Sequence, residues 1–198
     1  MGVYGQKVRE RLSAIAQHLR PAVFLDRDGV LNHVVMRGTK SYPPPTAEEY
    51  RFLPGVPEAA RVLREAGFLL VVATNQPDVG NGIQKQSVVE QMHDIVRTQL
   101  LVDDIEVCYH TREDRCTCRK PLPGMLVSAA KKWSIDLSRS FMVGDRWTDV
   151  AAGKAAGCKT FLIGHGYAEE MITDEPEWRV DSLFEASEIL IAQGANQK

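Results

Sequence analysis

The stretch Val23-Phe24-Leu25-Asp26-Arg27-Asp28-Gly29 decides the fold. An apolar, β-prone run stops at two carboxylates two residues apart, and a glycine follows to turn the backbone. Strands buried in parallel sheets read as such continuous apolar runs, and open α/β sheets place ligands just outside the carboxyl ends of their strands. Asp26 and Asp28 would then share one pocket. Two carboxylates that close repel unless one is protonated or a cation sits between them. An all-oxygen site of this kind suits Mg2+, which keeps several waters and bridges to substrate phosphate. The competing reading is a strand that simply ends in a polar turn.

Outward from this strand, apolar runs alternate with helical spacing. Lys7 to Leu19 carries Val8, Leu12, Ile15 and Leu19 on one face and reads as an amphipathic helix. Asn32 to Tyr50, containing Pro43-Pro44-Pro45, reads as an irregular loop at the pocket mouth. Pro57 to Ala66 reads as a helix ended by Gly67, and Phe68 to Ala73 as a buried strand leading into Thr74-Asn75. Helices are predicted at Lys85 to Leu101, Gly124 to Trp133, Asp149 to Ala156 and Ser182 to Ala192. Strands are predicted at Ile105 to Cys108, Ser140 to Val143 and Thr160 to Ile163. This alternation implies right-handed crossovers and a doubly wound parallel sheet covered on both faces, an α/β fold. At 198 residues the chain suits a single domain spanning 1–198.

Composition excludes several function classes. A hydrophobic content of 44% with 25% charged residues is ordinary for a globular protein, and a net charge of -2 offers no basic field for nucleic acid or anionic membrane. No apolar run approaches the ~20 residues of a membrane span, and Met1 to Arg20 carries charges in place of a signal-peptide apolar core. The expected setting is cytoplasmic, without membrane or nucleic-acid partners, and the expected state is a monomer. A reducing compartment argues against disulfides among the four cysteines.

Three of those cysteines cluster. Cys108-Tyr109-His110 and Cys116-Thr117-Cys118 give C-x-H-x5-C-x-C, three thiols and an imidazole, which is the ligand set of a closed tetrahedral zinc site. With four protein ligands no position is left for water, so the zinc would be structural; the alternative is a reduced, metal-free loop. Arg119-Lys120-Pro121 follows directly. A metal clip here would hold Arg119 and Lys120 where substrate arrives.

Polar clusters now follow four apolar strands: Asp26/Asp28, Thr74-Asn75, Arg119-Lys120 and Gly144-Asp145 with Asp149. In that order they resemble the haloacid dehalogenase (HAD) superfamily of phosphohydrolases, from about Val23 to Ile163. The resemblance implies a Rossmann-like core, with Asp26 attacking phosphorus to form an aspartyl-phosphate and Asp28 serving as acid and then base. It implies that Thr74 binds the phosphoryl oxygens and that Lys120 balances charge. Asp145 would complete a catalytic Mg2+ site with Asp26 and the Asp28 carbonyl. Acting as an acid near neutrality would require the Asp28 pKa to be shifted upward. Asp149 could support the metal site or start the next helix.

Asp26-Arg27-Asp28-Gly29, Thr74-Asn75-Gln76, the Cys/His loop and Cys118-Arg119-Lys120-Pro121 together resemble the zinc-bearing branch with a minimal cap. That branch holds D-glycero-D-manno-heptose 1,7-bisphosphate phosphatases and histidinol-phosphate phosphatases. Pro121-Leu122-Pro123-Gly124-Met125-Leu126 resembles the heptose enzymes; the x5 spacer and Gly144-Asp145-Arg146-Trp147-Thr148-Asp149 are closer to the histidinol type. The resemblance implies a small phosphorylated metabolite as substrate, a sugar bisphosphate first, bound by Asn75, Gln76, Arg119 and Arg146. Competing readings are a zinc-stabilised binding module without turnover and a nucleic-acid 3′-phosphatase. His18 and His93, on predicted helices, are expected in solvated or capping roles, and Cys158 as an inert core thiol.

Overall fold

A computed structural model describes residues 19–38, 40–164 and 174–195. The expected helix at Lys7 to Leu19 falls almost wholly outside these residues, as does His18. The core is a six-stranded sheet. Strand β1 is Ala22–Leu25, β4 Leu69–Asn75, β5 Asp104–Cys108, β6 Phe141–Gly144, β7 Lys159–Ile163 and β8 Trp178–Val180. The order across the sheet is β5-β4-β1-β6-β7-β8, and every neighbouring pair is parallel. The chain builds outward from β1 on one side, through β4 to β5, then crosses to the other side at β6. That reversal is a topological switch point, and the crevice beyond the carboxyl ends of β1, β4 and β6 is where such sheets bind ligands.

The alternation of side chains along each strand divides the core in two. Val23, Leu25, Leu70, Val72 and Val143 face one layer, made with helices α1 (Val56–Glu65), α3 (Gln86–Leu100) and α6 (Leu183–Ala195). Ala22, Phe24, Leu69, Val71 and Met142 face the other, beneath α4 (Gly124–Trp133) and α5 (Trp147–Ala156). Cys158 is buried in this second layer as a core thiol. No helix among the described residues is long and apolar enough to cross a membrane.

The boundaries expected for α4, and for β1 as the apolar run Ala22 to Leu25, match the structure, and most others shift by a residue or two. Residues 32–50, expected to be an irregular loop, instead hold an antiparallel hairpin, β2 (Val35–Arg37) with β3 (Lys40–Tyr42), and a 3-10 turn at Ala47–Glu49. Three-residue strands are too short to display a period-two pattern. For the same reason sequence reasoning missed β8 and the single turn α2 (Pro77–Gly80). The hairpin is a sheet of its own, and it reaches the cleft through Ser41.

Candidate active site

Asp26 begins the turn that follows β1, its N–H still bonded to the Val143 carbonyl at 3.0 Å. The chain then reverses at Gly29, whose φ of +87° lies in the left-handed region. A Cβ there would stand 2.1 Å from Asp145 Oδ2, so this glycine both turns the backbone and admits the β6 carboxylate to the site.

Lys120 is the hub. Its buried ammonium lies 2.7 Å from Asp26 Oδ1 and 2.6 Å from Asp149 Oδ1, and donates to the Ala73 carbonyl at 2.6 Å. Burial alone would depress a lysine, but Asp149 and Asp26 outweigh it and hold Lys120 above the ordinary range, fully charged. Burial pushes Asp26 up to about 6, Lys120 opposing and Asp149 reinforcing the rise. Asp149 also accepts from the Arg146 N–H at 3.0 Å, so it starts helix α5 and pairs Lys120 at once. The two roles weighed for it in the sequence were metal support and helix start; the ion pair to Lys120 is a third.

Asp28 departs from expectation. Arg27, with no exposed surface, forks onto it through Nε at 3.2 Å and Nη2 at 2.8 Å. Asn32 Nδ2 adds a bond at 3.0 Å and Gln76 Nε2 another at 2.8 Å. Burial favours the neutral acid, but the Arg27 charge and these donors outweigh it and lower the pKa of Asp28, where an upward shift was expected. Arg27 and these donors therefore favour the carboxylate form of Asp28.

Asp26, Asp145 and Asp149 can each bring an oxygen within 4.8 Å of the others. Three buried acids against one lysine leave an excess of negative charge, and the donor set is all oxygen, so the site fits a hard divalent cation such as Mg2+. Since both Asp149 oxygens are engaged, Oδ1 by Lys120 and Oδ2 by the Arg146 N–H, whereas Lys120 meets Asp26 through Oδ1, Asp26 and Asp145 are the side chains that would hold it.

The Cys/His loop closes as its spacing suggested. Cys108 Sγ and Cys118 Sγ each lie 3.3 to 3.7 Å from the other, from Cys116 Sγ and from His110 Nδ1, and all four donor atoms fall within 4.8 Å of one another. Zn–S bonds of about 2.3 Å and a Zn–N bond of about 2.0 Å imply tetrahedral edges of about 3.5 to 3.8 Å, whereas a disulfide would need about 2.05 Å. All three thiols are free, and the four donors fit zinc. Gly124 packs against this loop: a Cβ would stand 2.1 Å from the Thr117 carbonyl.

A cleft of about 520 Å³ opens over these groups. Thr74 lines it, with its hydroxyl 2.9 Å from Gln76 Nε2. Arg119 and Arg146 stand at its rim, as the sequence suggested. The other two residues expected to bind substrate have different occupations: Asn75 is bonded to the Lys120 backbone, and Gln76 bridges Thr74 and Asp28. Sequence reasoning missed Arg112 and Arg115, two further rim cations supplied by the Cys/His-loop spacer Thr111-Arg112-Glu113-Asp114-Arg115. It also missed Arg27, buried beneath Asp28. His93, expected in a solvated or capping role, is wholly buried against Arg27.

This arrangement has close counterparts. A family model described as HAD-hydrolase-like matches residues 117–186, which include Lys120, Asp145 and Asp149. The D-glycero-beta-D-manno-heptose-1,7-bisphosphate 7-phosphatase of Rhodopseudomonas palustris is 39% identical over 154 residues, covering 72% of this chain and 82% of the relative. The chain belongs to the haloacid dehalogenase phosphatases. Another family member, the Pasteurella multocida enzyme of the same name, is 34% identical over 85% of this chain and 93% of its own length. The crystal structure of D,D-heptose 1,7-bisphosphate phosphatase from B. bronchiseptica, complexed with magnesium and phosphate, superposes with a TM-score of 0.76. It is 30% identical and covers 87% of this chain and 99% of that one.

Proposed function

We propose that this chain is a Mg2+-dependent phosphatase that removes the 7-phosphate of D-glycero-D-manno-heptose 1,7-bisphosphate through an aspartyl-phosphate on Asp26. The observation that carries the reading is Asp26, backed by Lys120 and Asp149, at the floor of a cleft whose rim bears four arginines. The names of the relatives support the choice of substrate. Mg2+ bound by Asp26 and Asp145 would supply positive charge to offset the approach of one anion to another.

The Asp26 carboxylate attacks phosphorus, while Lys120 and the Thr74 hydroxyl stabilise charge on the transferring phosphoryl group. Asp28 must protonate the leaving oxygen, yet Arg27 holds it ionised in the free site. A substrate dianion beside Asp28 opposes Arg27 and raises its proton affinity, so the acid form arises on binding. Once the alcohol has left, Asp28 as carboxylate takes a proton from the water that hydrolyses the intermediate. The distal phosphate is left for the rim arginines, which bind dianions through forked, charge-assisted bonds. Zinc in the Cys/His loop would immobilise three of them, Arg112, Arg115 and Arg119. The enzyme works in this reading as one domain and one subunit in the cytoplasm.

The test is kcat/KM, with and without Mg2+, for both anomers of heptose 1,7-bisphosphate beside histidinol phosphate. Preference for the bisphosphate is expected. A higher value for histidinol phosphate would reassign the substrate, and no Mg2+-dependent hydrolysis of either would refute the reading.

A further inference from the structure

His93 lies on α3 with no exposed surface, a buried titratable group to which the chemistry above gives no task. Its Nε2 is 3.1 Å from Arg27 Nη1, while the other edge of the same guanidinium forks onto Asp28. On its far side Nδ1 faces Glu90 Oε1 at 3.5 Å. Glu90 in turn pairs with Arg97 at 3.5 Å and accepts a hydrogen bond from the Tyr109 hydroxyl. Tyr109 stands between the zinc-loop residues Cys108 and His110.

Arginine has only donors, so its contact with His93 fixes the tautomer: Nε2 carries the lone pair and Nδ1 carries the proton, on the side where Glu90 stands 3.5 Å away. Burial and the facing charge of Arg27 lower the imidazole pKa to about 4 against the pull of Glu90, so the ring is neutral near pH 7. Neutrality suits the position. A carboxylate there would compete with Asp28 for the guanidinium, and an apolar side chain would leave a buried cationic N–H unpaired.

We propose that His93 is a positioning residue of the phosphatase reaction: by accepting from Arg27 it locks the guanidinium fork that aims the Asp28 carboxylate at the leaving-group oxygen. The inference rests on the acid and base role given to Asp28 above. It assigns the contact chain Asp28–Arg27–His93–Glu90–Tyr109, buried at Arg27 and His93, a function, and it gives the Cys/His loop a second route into the site besides Arg119 and Lys120.

The experiment measures kcat/KM for wild type, His93→Leu and His93→Gln on aryl phosphates whose phenols span a wide range of acidity, with thermal melts alongside. Misaiming Asp28 removes proton donation, which a weakly acidic phenol needs and a strongly acidic one does not. His93→Leu should lose on the order of tenfold to a hundredfold on the least acidic phenol, a share of the roughly 10²- to 10⁴-fold that acid catalysis contributes, and little on the most acidic. His93→Gln, which can present Oε1 to Arg27, should recover most of that loss. A loss uniform across all phenols, or failure of the glutamine to rescue at matched thermal stability, would overturn the proposal. Should His93→Leu not fold, Glu90→Ala carries the test, since Glu90 is 40% exposed: the same steepened dependence on phenol acidity is expected, and an unchanged dependence refutes the proposal. If wild type itself hydrolyses none of these esters, the phosphatase reading fails, an outcome distinct from a flat response in an active enzyme.

Discussion

Asn75 and Lys120, 45 residues apart in sequence, are joined by two reciprocal hydrogen bonds. The Asn75 Nδ2 donates to the Lys120 carbonyl at 3.1 Å, and the Lys120 N–H donates to Asn75 Oδ1 at 3.1 Å. The last residue of β4 thereby holds the backbone of the lysine that faces the nucleophile. Asn75→Ala should lower kcat more than it raises KM, because it loosens Lys120 without touching the rim. It should also cost about 1 to 3 kcal/mol of stability, the worth of two ordinary hydrogen bonds. Steady-state kinetics and denaturant titration check both, and a pure KM effect would return Asn75 to substrate binding.

Asp26→Asn should abolish turnover without unfolding the protein. Lys120 keeps Asp149 as a partner at 2.6 Å, and the substitution removes a carboxylate that burial already disfavours. A melting temperature at or above that of wild type, with no phosphate release, is the expected pair of results. Near-normal turnover would end the covalent mechanism.

Asp149→Asn should behave differently: it too strips the buried ammonium of one of two anions, but it also weakens the start of α5, which Asp26→Asn leaves intact. A fall in both stability and kcat is expected, with kcat down roughly tenfold to a hundredfold for about 1.5 to 3 kcal/mol of a charged hydrogen bond. Melting curves and kinetics with saturating Mg2+ measure it.

Metal analysis of protein purified without chelator should find about one zinc per chain. Cys116→Ser should lower zinc content, thermal stability and activity together, since the loop carries three rim arginines and leads into Lys120. Full activity in a zinc-free variant would show that the loop holds its shape unaided.

The pH dependence of stability carries a signature of His93. Its folded pKa of about 4 lies below the unfolded value of about 6.5, so between these values the unfolded chain binds more protons than the native one. Stability from this group is full above pH 6.5 and is lost as pH falls toward 4, on the order of 3 kcal/mol in all. Asp26, raised in the folded state, acts in the opposite sense over part of that window and is common to wild type and His93→Gln. The difference in unfolding free energy between the two proteins, measured from pH 7.5 to pH 4.5, should therefore shrink with acid; a constant difference would count against a neutral buried imidazole.

Arg119 tests the distal subsite. Arg119→Ala should cost roughly tenfold to a hundredfold in kcat/KM on the bisphosphate, about 1.5 to 3 kcal/mol, and less on a monophosphate of the same sugar. Equal losses on both substrates would place Arg119 at the reacting phosphate instead.

What the sequence determined by itself is what depends on local pattern. Ala22–Leu25 is an apolar run long enough to be a buried strand, and the carboxylates after it, the Cys/His spacing and the acids after β6 are close enough in sequence that any α/β chain path must group them. The three-residue strands of the hairpin and β8 were hidden because so short a segment shows no period. Only the tertiary structure decided which polar groups are already engaged. That Asn75 and Gln76 spend their amides within the protein, that Asp149 pairs with Lys120, and that Arg27 forks onto Asp28 while leaning on His93 all depend on contacts spanning up to 66 residues. Hydrogen bonds and desolvation are set by distance and burial in three dimensions. The sign of the Asp28 shift is the clearest case, since the sequence shows its neighbouring carboxylate but not the buried guanidinium turned toward it.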